Sequence, residues 1–387
     1  MVSAAVVLFL LVAGNAVATR SSWLRAVNIP GSFVGGAAGS LLLLALGSFD
    51  LPRFAISEEL RDLLLVLFFV SAGLGTTVSS WIAAGRPLLV LSALCFLLMI
   101  FQNAIGIGVA SVLGMPAAYG VLSGSVAFAG GLGSAVAWGA EFGAKGIRNA
   151  TEVAVIAATV GMAIGTFVGG PYVSWVIRRK GLVGTRDKGT ESIAAEEEVP
   201  FTERKVIVVL LIFALSVVAG DLARDALRAY GVVMPRFLTA MLAGVVISVV
   251  ADLGRVHIDR TRIDRCGDIC LSIFIVMALC SIDLQSLGRI AGPMAVMAAA
   301  QTIGTVLFAH FLVYWPMGRN FEAAATAGGV IGFGLSSFAV AMATVKQVER
   351  HYGPAPQAML LTTLVGGAVS NLANALVVLA FYHWLTG

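Results

Sequence analysis

The chain has 387 residues, of which 59% are hydrophobic and 12% charged, with a mean hydropathy of +0.95. A soluble domain carries about 25% charged residues, so a water-soluble globular fold is excluded and membrane spans are the unit to count. The net charge of +4 gives no reason to expect nucleic acid, because most Lys and Arg fall in loops between apolar runs, as membrane topology requires.

Residues 2–18 form the first apolar run and end in Ala16-Val17-Ala18, which imitates a signal-peptidase site. No basic segment precedes the run, so a retained first span is expected. Spans follow at 31–49, 59–80, 87–113 and 149–177. Between the last two lies Phe128-Ala-Gly-Gly-Leu-Gly-Ser-Ala-Val-Ala-Trp138, hydrophobic but crowded with helix-weakening glycines. Unwound backbone at membrane depth survives only where protein or a water-filled cavity satisfies its polar groups. The mixed-charge stretch 178–205 then reads as a solvated linker. The second half gives spans at 206–229, 234–253, 266–286, 292–316 and 358–385, with Gly328-Gly-Val-Ile-Gly-Phe-Gly-Leu-Ser-Ser337 before the last.

The halves echo one another. Ile29-Pro30 answers Met234-Pro235, Asp62 through Pro87 answers Asp268 through Pro293, and Gln102 answers Gln301, each time before a glycine stretch. If each stretch dips in and returns, each half crosses five times, and an odd number inverts the second half. With both termini outside, seventeen of the 25 Lys and Arg fall on the cytoplasmic side, in keeping with the positive-inside rule. The expected fold is therefore an all-α polytopic membrane protein: an N-terminal repeat 1–177, a cytoplasmic linker 178–205, and a C-terminal repeat 206–387. Each repeat has about five transmembrane helices and a glycine-rich re-entrant loop. Paired glycine breaks in matching positions are the best sequence pointer to a transporter's binding site; close helix packing is the plainer use of such residues.

Other chemistry is thin. Cys95, Cys266, Cys270 and Cys280 include no C-x-x-C pair and read as free packing thiols. His257, His310, His351 and His383 lack metal-ligand spacing, and His310, in an apolar run, reads as a hydrogen-bonded packing residue, with a proton relay as the other use. With no nucleophile–base pair or ligand cluster, an enzyme is not expected. Two unlike loops in one chain suit a gated central site better than a channel's ring of identical loops.

Gln102-Asn-Ala-Ile-Gly-Ile-Gly-Val-Ala-Ser-Val-Leu-Gly114, Asn149-Ala-Thr-Glu-Val-Ala154, Gly161 through Pro171, Gly332-Phe-Gly-Leu335, Tyr352-Gly-Pro354 and Asn374-Ala-Leu-Val377 together resemble the bacterial sodium/glutamate symporter family over nearly the whole chain. The resemblance implies a homodimer in the bacterial inner membrane that takes up glutamate with Na⁺ as coupling ion; no other cofactor is expected, and the charge count above is what points to N-terminus and C-terminus outside. The resemblance also implies an elevator-like movement of one part of each protomer against a scaffold. Where the family carries loop histidines and a Thr-Pro-Thr run, this chain has Leu132, Val330 and Phe338, and an Asp of the last span is Asn371. A second reading therefore keeps the fold but carries another small organic anion, or couples to H⁺.

For a dicarboxylic amino acid, broken-helix N-termini supply N–H donors and partial positive charge. Gly130, Gly131, Gly133, Gly332 and Gly334 admit the substrate to the backbone, and Ser134, Ser336 and Ser337 add hydroxyls. Sodium, a hard ion, would take carbonyls and the amide oxygens of Gln102, Asn103, Asn371 and Asn374, residues whose plainer role is interhelical hydrogen bonding. Asn149, Thr151 and Glu152 have N-cap spacing and double as possible ligands. Arg148 fits a substrate carboxylate or an interfacial anchor. Asp62 and Asp268, starting equivalent spans, are expected to serve positive helix ends.

Overall fold

The computed structural model describes residues 2–22, 24, 30–48, 57–75, 78–182, 203–230, 234–254, 256, 258–280 and 287–386. Every regular element among them is helical. In chain order these are α1 (Val2–Arg20), α2 (Gly31–Ser48), α3 (Glu58–Leu74), α4 (Val78–Val112), α5 (Ala117–Val121), α6 (Gly131–Ala144) and α7 (Ala150–Lys180). Then come α8 (Glu203–Ala229), α9 (Arg236–Leu253), α10 (Arg260–Cys280), α11 (Leu287–Phe308), α12 (Phe321–Leu335), α13 (Phe338–Tyr352), α14 (Pro356–Leu364) and α15 (Ser370–Thr386). Single π-helical turns follow α5 (Leu122–Val126), α11 (Ala309–Tyr314) and α14 (Val365–Val369). Most of the linker, residues 183–202, and His257 lie outside the described residues.

Local chemistry sets several boundaries. Ser57 caps α3 by accepting from Leu60 N at 3.3 Å, with Glu58 and Glu59 in the first turn. Asp62 is therefore not the residue that opens the helix, and neither is Asp268. Because Asp259 accepts from Arg262 N at 3.2 Å, α10 begins at Arg260, which leaves Asp268 two turns inside. α4 breaks at Gly85 (φ 61°, ψ −150°), two residues before Pro87. α7 ends on Gly181 (φ 62°) after Arg178, Arg179 and Lys180, cations that suit a helix C-terminus.

Five helices are long and apolar enough to cross a membrane among the described residues: Gly85–Val112, Ala150–Lys180, Lys205–Ala229, Arg236–Leu253 and Gly292–Tyr314. A sixth crossing results if Pro356–Gly367 and Ser370–Thr386, bent by 42°, count as one. Ala5–Arg20 and Gly31–Leu46 are shorter apolar helices. Along α8, Leu211, Leu215, Val218 and Leu222 are each more than half exposed, the apolar outer face expected of a helix against lipid.

The helices pack as two bodies. In one, α1 lies on α2, α2 on α10, α10 on α3, α3 on α9, and α9 on α8. Small residues bring these backbones close: a Cβ on Gly220 of α8 would sit 2.5 Å from Ala240 Cα of α9. In the other, α4 lies against α5, α11 and α15, while α7 lies against α6, α11, α12 and α13. The bodies meet sparsely, chiefly α6 on α10 and α4 on α9. Trp138 of α6, fully buried, meets the Phe237 ring of α9 edge-on at 5.4 Å.

The segments around the two breaks have their ends tied together. Tyr119 Oη, in α5, donates to Arg148 O, just past α6, at 2.7 Å. At the start of α12, Glu322 accepts from Ala358 N of α14 at 2.8 Å, and Glu349 accepts from Ala355 N at 3.0 Å. The four cysteines are free.

Candidate functional site at the meeting of two helix breaks

The first break runs from Ser123 (ψ 17°) and Gly124 (ψ −129°) to Gly131 (φ 66°), where α6 starts. Only glycine takes that φ without cost. Gly133 and Trp138, expected in an unwound stretch, belong to α6. The second break is later and shorter than expected. Gly328 through Gly334 stay in regular helix α12, and the chain departs from it only at Ser336 and Ser337. Those α12 glycines serve close approach, since a Cβ on Gly332 would stand 2.5 Å from Ala341 Cα of α13. A few glycines weaken a helix by about 1 kcal/mol each, which close packing offsets.

The two breaks touch. A Cβ built on Gly131 would lie 3.3 Å from Ser336 O, and α7 backs the contact with Gly165, whose Cβ would lie 2.9 Å from Ser336 Cβ. Alongside run the mid-portions of α4 and α11. Gln102 Nε2 donates to Gly334 O at 2.6 Å and to Thr305 Oγ1 at 3.0 Å, while Gln301 Nε2 donates to Gln102 O at 2.7 Å. Asn103 Oδ1 accepts from Ser125 N at 2.9 Å inside the first break. From α15, Asn374 Nδ2 donates to Ser134 Oγ at 3.3 Å, and a Cβ on Gly130 would run into both side chains.

These bonds leave one polar atom idle on several of the same buried side chains. Gln102 Oε1, Asn103 Nδ2, Ser125 Oγ, Gln301 Oε1, Ser336 Oγ and Asn374 Oδ1 are inaccessible and have no hydrogen-bond partner among the described residues. An orphaned buried polar group costs roughly 1–3 kcal/mol, so six around one junction mark a place that a polar guest would complete. The carbonyl, amide and hydroxyl oxygens are hard donors that fit a Na⁺-like cation. The helices α6 and α13 both begin at the breaks, so their partially positive N-termini open there. No charged side chain is among the residues of this junction.

Of the residues expected from sequence, Gly130, Gly131, Ser134, Gly334, Ser336, Gln102, Asn103 and Asn374 are brought together. Gly133 instead faces the other body, its Cβ position 3.0 Å from Leu271 and 3.2 Å from Phe68. Gly332 holds α12 against α13, and Ser337 is half-buried beside Ser336. Half-buried Asn371 returns its amide to Gly367 O, in the preceding turn, at 2.9 Å. Asn149 does not cap α7: it adopts φ 50°, ψ 27° and makes no side-chain cap bond, because capping needs extended backbone that aims the side chain at the first N–H groups. Thr151 and Glu152 are half-buried at the start of α7, and Arg148 is exposed. His310 hydrogen-bonds Tyr172 Oη at 3.1 Å and stacks on Tyr314, the packing role expected. Leu132 and Val330 are buried, and Phe338 is 38% exposed.

Sequence reasoning missed Ser125, Gln301 and Thr305 as members of the junction. For Gln301 a signal was present, since it echoes Gln102 in the other half; Ser125 and Thr305 carried none.

A family model described as Sodium/glutamate symporter matches residues 1–354. The chain is similar to the sodium/glutamate symporter of Escherichia coli (strain K12), 31% identical over 381 residues, covering 95% of this chain and 93% of that protein. The protein of the same description from Shigella flexneri matches with the same figures. That from Haemophilus influenzae is 30% identical over 373 residues, covering 94% of this chain and 92% of that protein.

Proposed function

The chain belongs to the sodium/glutamate symporter family, and from that premise we propose that it is a Na⁺-coupled symporter of glutamate working by alternating access at the junction of its two helix breaks. The observation that carries the site is the set of six buried, unpartnered polar atoms gathered there. Glutamate presents two carboxylates and an ammonium. Its carboxylates take the N-terminal peptide groups of α6 and α13 and the hydroxyls of Ser134, Ser336 and Ser337; amide oxygens receive the ammonium.

Coupling follows from the charge of the site. With no cationic side chain in the junction, an anion entering alone is poorly compensated. A Na⁺ ion held by Gln102, Gln301 and Asn374 oxygens supplies the missing charge. Each guest then raises the affinity of the other, as linkage requires.

We read the chain as two inverted repeats whose re-entrant segments are 117–144 and 321–352. The tied ends at Tyr119–Arg148 and Glu322–Ala358 support this, as does the reciprocal packing of α2 on α10 and α9 on α3. The sparse seam between the two bodies supports an elevator movement of α4–α7 and α11–α15 against the rest. The distribution of Lys and Arg supports both termini outside, and the family supports an inner-membrane homodimer.

The deciding experiment is uptake of labelled L-glutamate into proteoliposomes with and without an inward Na⁺ gradient. Accumulation that requires the gradient is expected. No accumulation by folded protein overturns glutamate as the substrate, and accumulation driven equally by an H⁺ gradient without Na⁺ overturns the coupling ion.

A further inference from the structure

Away from the junction, the end of α7 and the chain around the π turn after α11 carry a ladder of rings with an arginine at each end. Arg179 Cζ lies 5.6 Å from the Trp175 ring, Trp175 lies 5.9 Å from the His310 ring, and His310 lies 6.5 Å from Trp315. Arg319 closes the ladder, its Cζ 4.3 Å from the Trp315 ring. Tyr172 and Tyr314 fix the middle by their contacts with His310 and with Arg319 O. Beside the ladder, Pro171, Ser174, Trp175, Arg178 and Arg179 line a cavity of about 550 Å³.

Both spans that reach this cluster end here, one at Lys180 and the other at Tyr314, so it sits where the hydrocarbon gives way to the headgroups. Arg178, Arg179, Lys180 and Arg319 form no ion pair with a carboxylate among the described residues. Trp175, Phe311 and Trp315 are about half exposed, turned outward as rings at a membrane boundary are.

We propose that this ladder and cavity bind the phosphate headgroup of an anionic phospholipid. Arg178 and Arg179, which line the cavity, take the phosphate oxygens, Arg319 at the far end of the ladder adds positive charge, and the outward rings receive the upper acyl chains. Guanidinium is the group suited to phosphate, and basic pockets between spans are where acidic headgroups dock. A free phosphate ion would use the arginines but has no use for exposed rings, which is why the lipid is the favoured source.

The test is lipid retention by the purified full chain, measured by native mass spectrometry after exchange into micelles carrying phosphatidylglycerol, cardiolipin or phosphatidylcholine. Wild-type protein is expected to retain the two anionic lipids in preference to phosphatidylcholine. Arg178→Gln/Arg179→Gln should bind them about tenfold more weakly. Arg319→Gln alone, from the connection between the π turn and α12, should also weaken them, whereas Lys145→Gln/Arg148→Gln, removing equal charge elsewhere, should not. Equal retention of phosphatidylcholine, or equal loss in the Lys145/Arg148 variant, overturns the site. If inorganic phosphate displaces the bound lipid, or by itself gives the thermal stabilisation the lipid gives, the ligand is a free anion and the lipid assignment fails. Because none of these readouts involves transport, the outcome is independent of whether glutamate is carried.

Discussion

The side-chain amide of Gln102 donates to the carbonyl of Gly334 at 2.6 Å, across 232 positions of sequence. Gln301, at the matching place in the other half, donates in turn to the carbonyl of Gln102. The two glutamines thus interlock α4 with α11 and fasten both to the end of α12, just before the second break. Removing that fastening should disturb both stability and transport. Gln102→Leu leaves Gly334 O and Thr305 Oγ1 buried without this partner, a loss on the order of 1–3 kcal/mol. Thermal unfolding in detergent should show a lowered midpoint and proteoliposomes should show abolished uptake. A variant with wild-type values in both would mean that the bond positions nothing.

Gly131 and Gly143 make a paired test of backbone strain in one helix. Gly131 has φ 66° and Ser336 O close by, whereas Gly143 is exposed with nothing near its Cβ position. Gly131→Ala should cost roughly 1–2 kcal/mol for the left-handed backbone and lower uptake. Gly143→Ala should gain up to about 1 kcal/mol of helix propensity. Equal unfolding midpoints in the two variants would contradict the break geometry.

Asn374 and Asn371 lie one helical turn apart but are used differently. Asn374 leaves Oδ1 unpartnered in the junction, while Asn371 spends its amide on its own helix. Asn374→Ala should raise the Na⁺ concentration for half-maximal uptake about tenfold, equivalent to ~1.4 kcal/mol, and Asn371→Ala should move it much less. The reverse order would shift the cation to the other end of that turn.

The seam between the bodies offers a lock. A Cβ on Gly133 of α6 would approach Leu271 of α10 to 3.0 Å from its Cδ1. In a background without Cys95, Cys266, Cys270 and Cys280, Gly133→Cys with Leu271→Cys should be bridged by a short bifunctional thiol reagent. Bridging should stop uptake, and thiol release should restore it. Uninterrupted transport in bridged protein would rule out sliding at this seam.

Much of the fold was legible in the chain because membrane burial writes itself into composition. Long apolar runs, basic loops and the repeated Asp-to-Pro and glutamine echoes all follow from lipid exposure and chain topology, and both are local in sequence. The breaks were legible only approximately. Glycine density marked where backbones come close, and it does so equally in Gly332, which stays helical against Ala341, and in Gly131, which does not. Whether a glycine unwinds a helix or lets another helix approach depends on what lies opposite, and no single segment contains that information. The same holds for Asn149, whose capping pattern is correct in spelling but whose backbone is left-handed.

The sequence by itself determined an all-helical membrane protein of two echoing halves, with Gln102, Asn103, Asn374 and the small residues of two glycine stretches as the polar residues worth attention. Only the tertiary structure decided that Gln301, Thr305 and Ser125 join them and that Asn371, Asn149 and Gly133 do not. The physical reason is that an apolar pattern specifies which residues leave water, while the pairing of buried polar atoms is settled by three-dimensional neighbours. Six such atoms have no partner among the described residues where the two breaks meet, a fact that belongs to the packing and to no stretch of the chain.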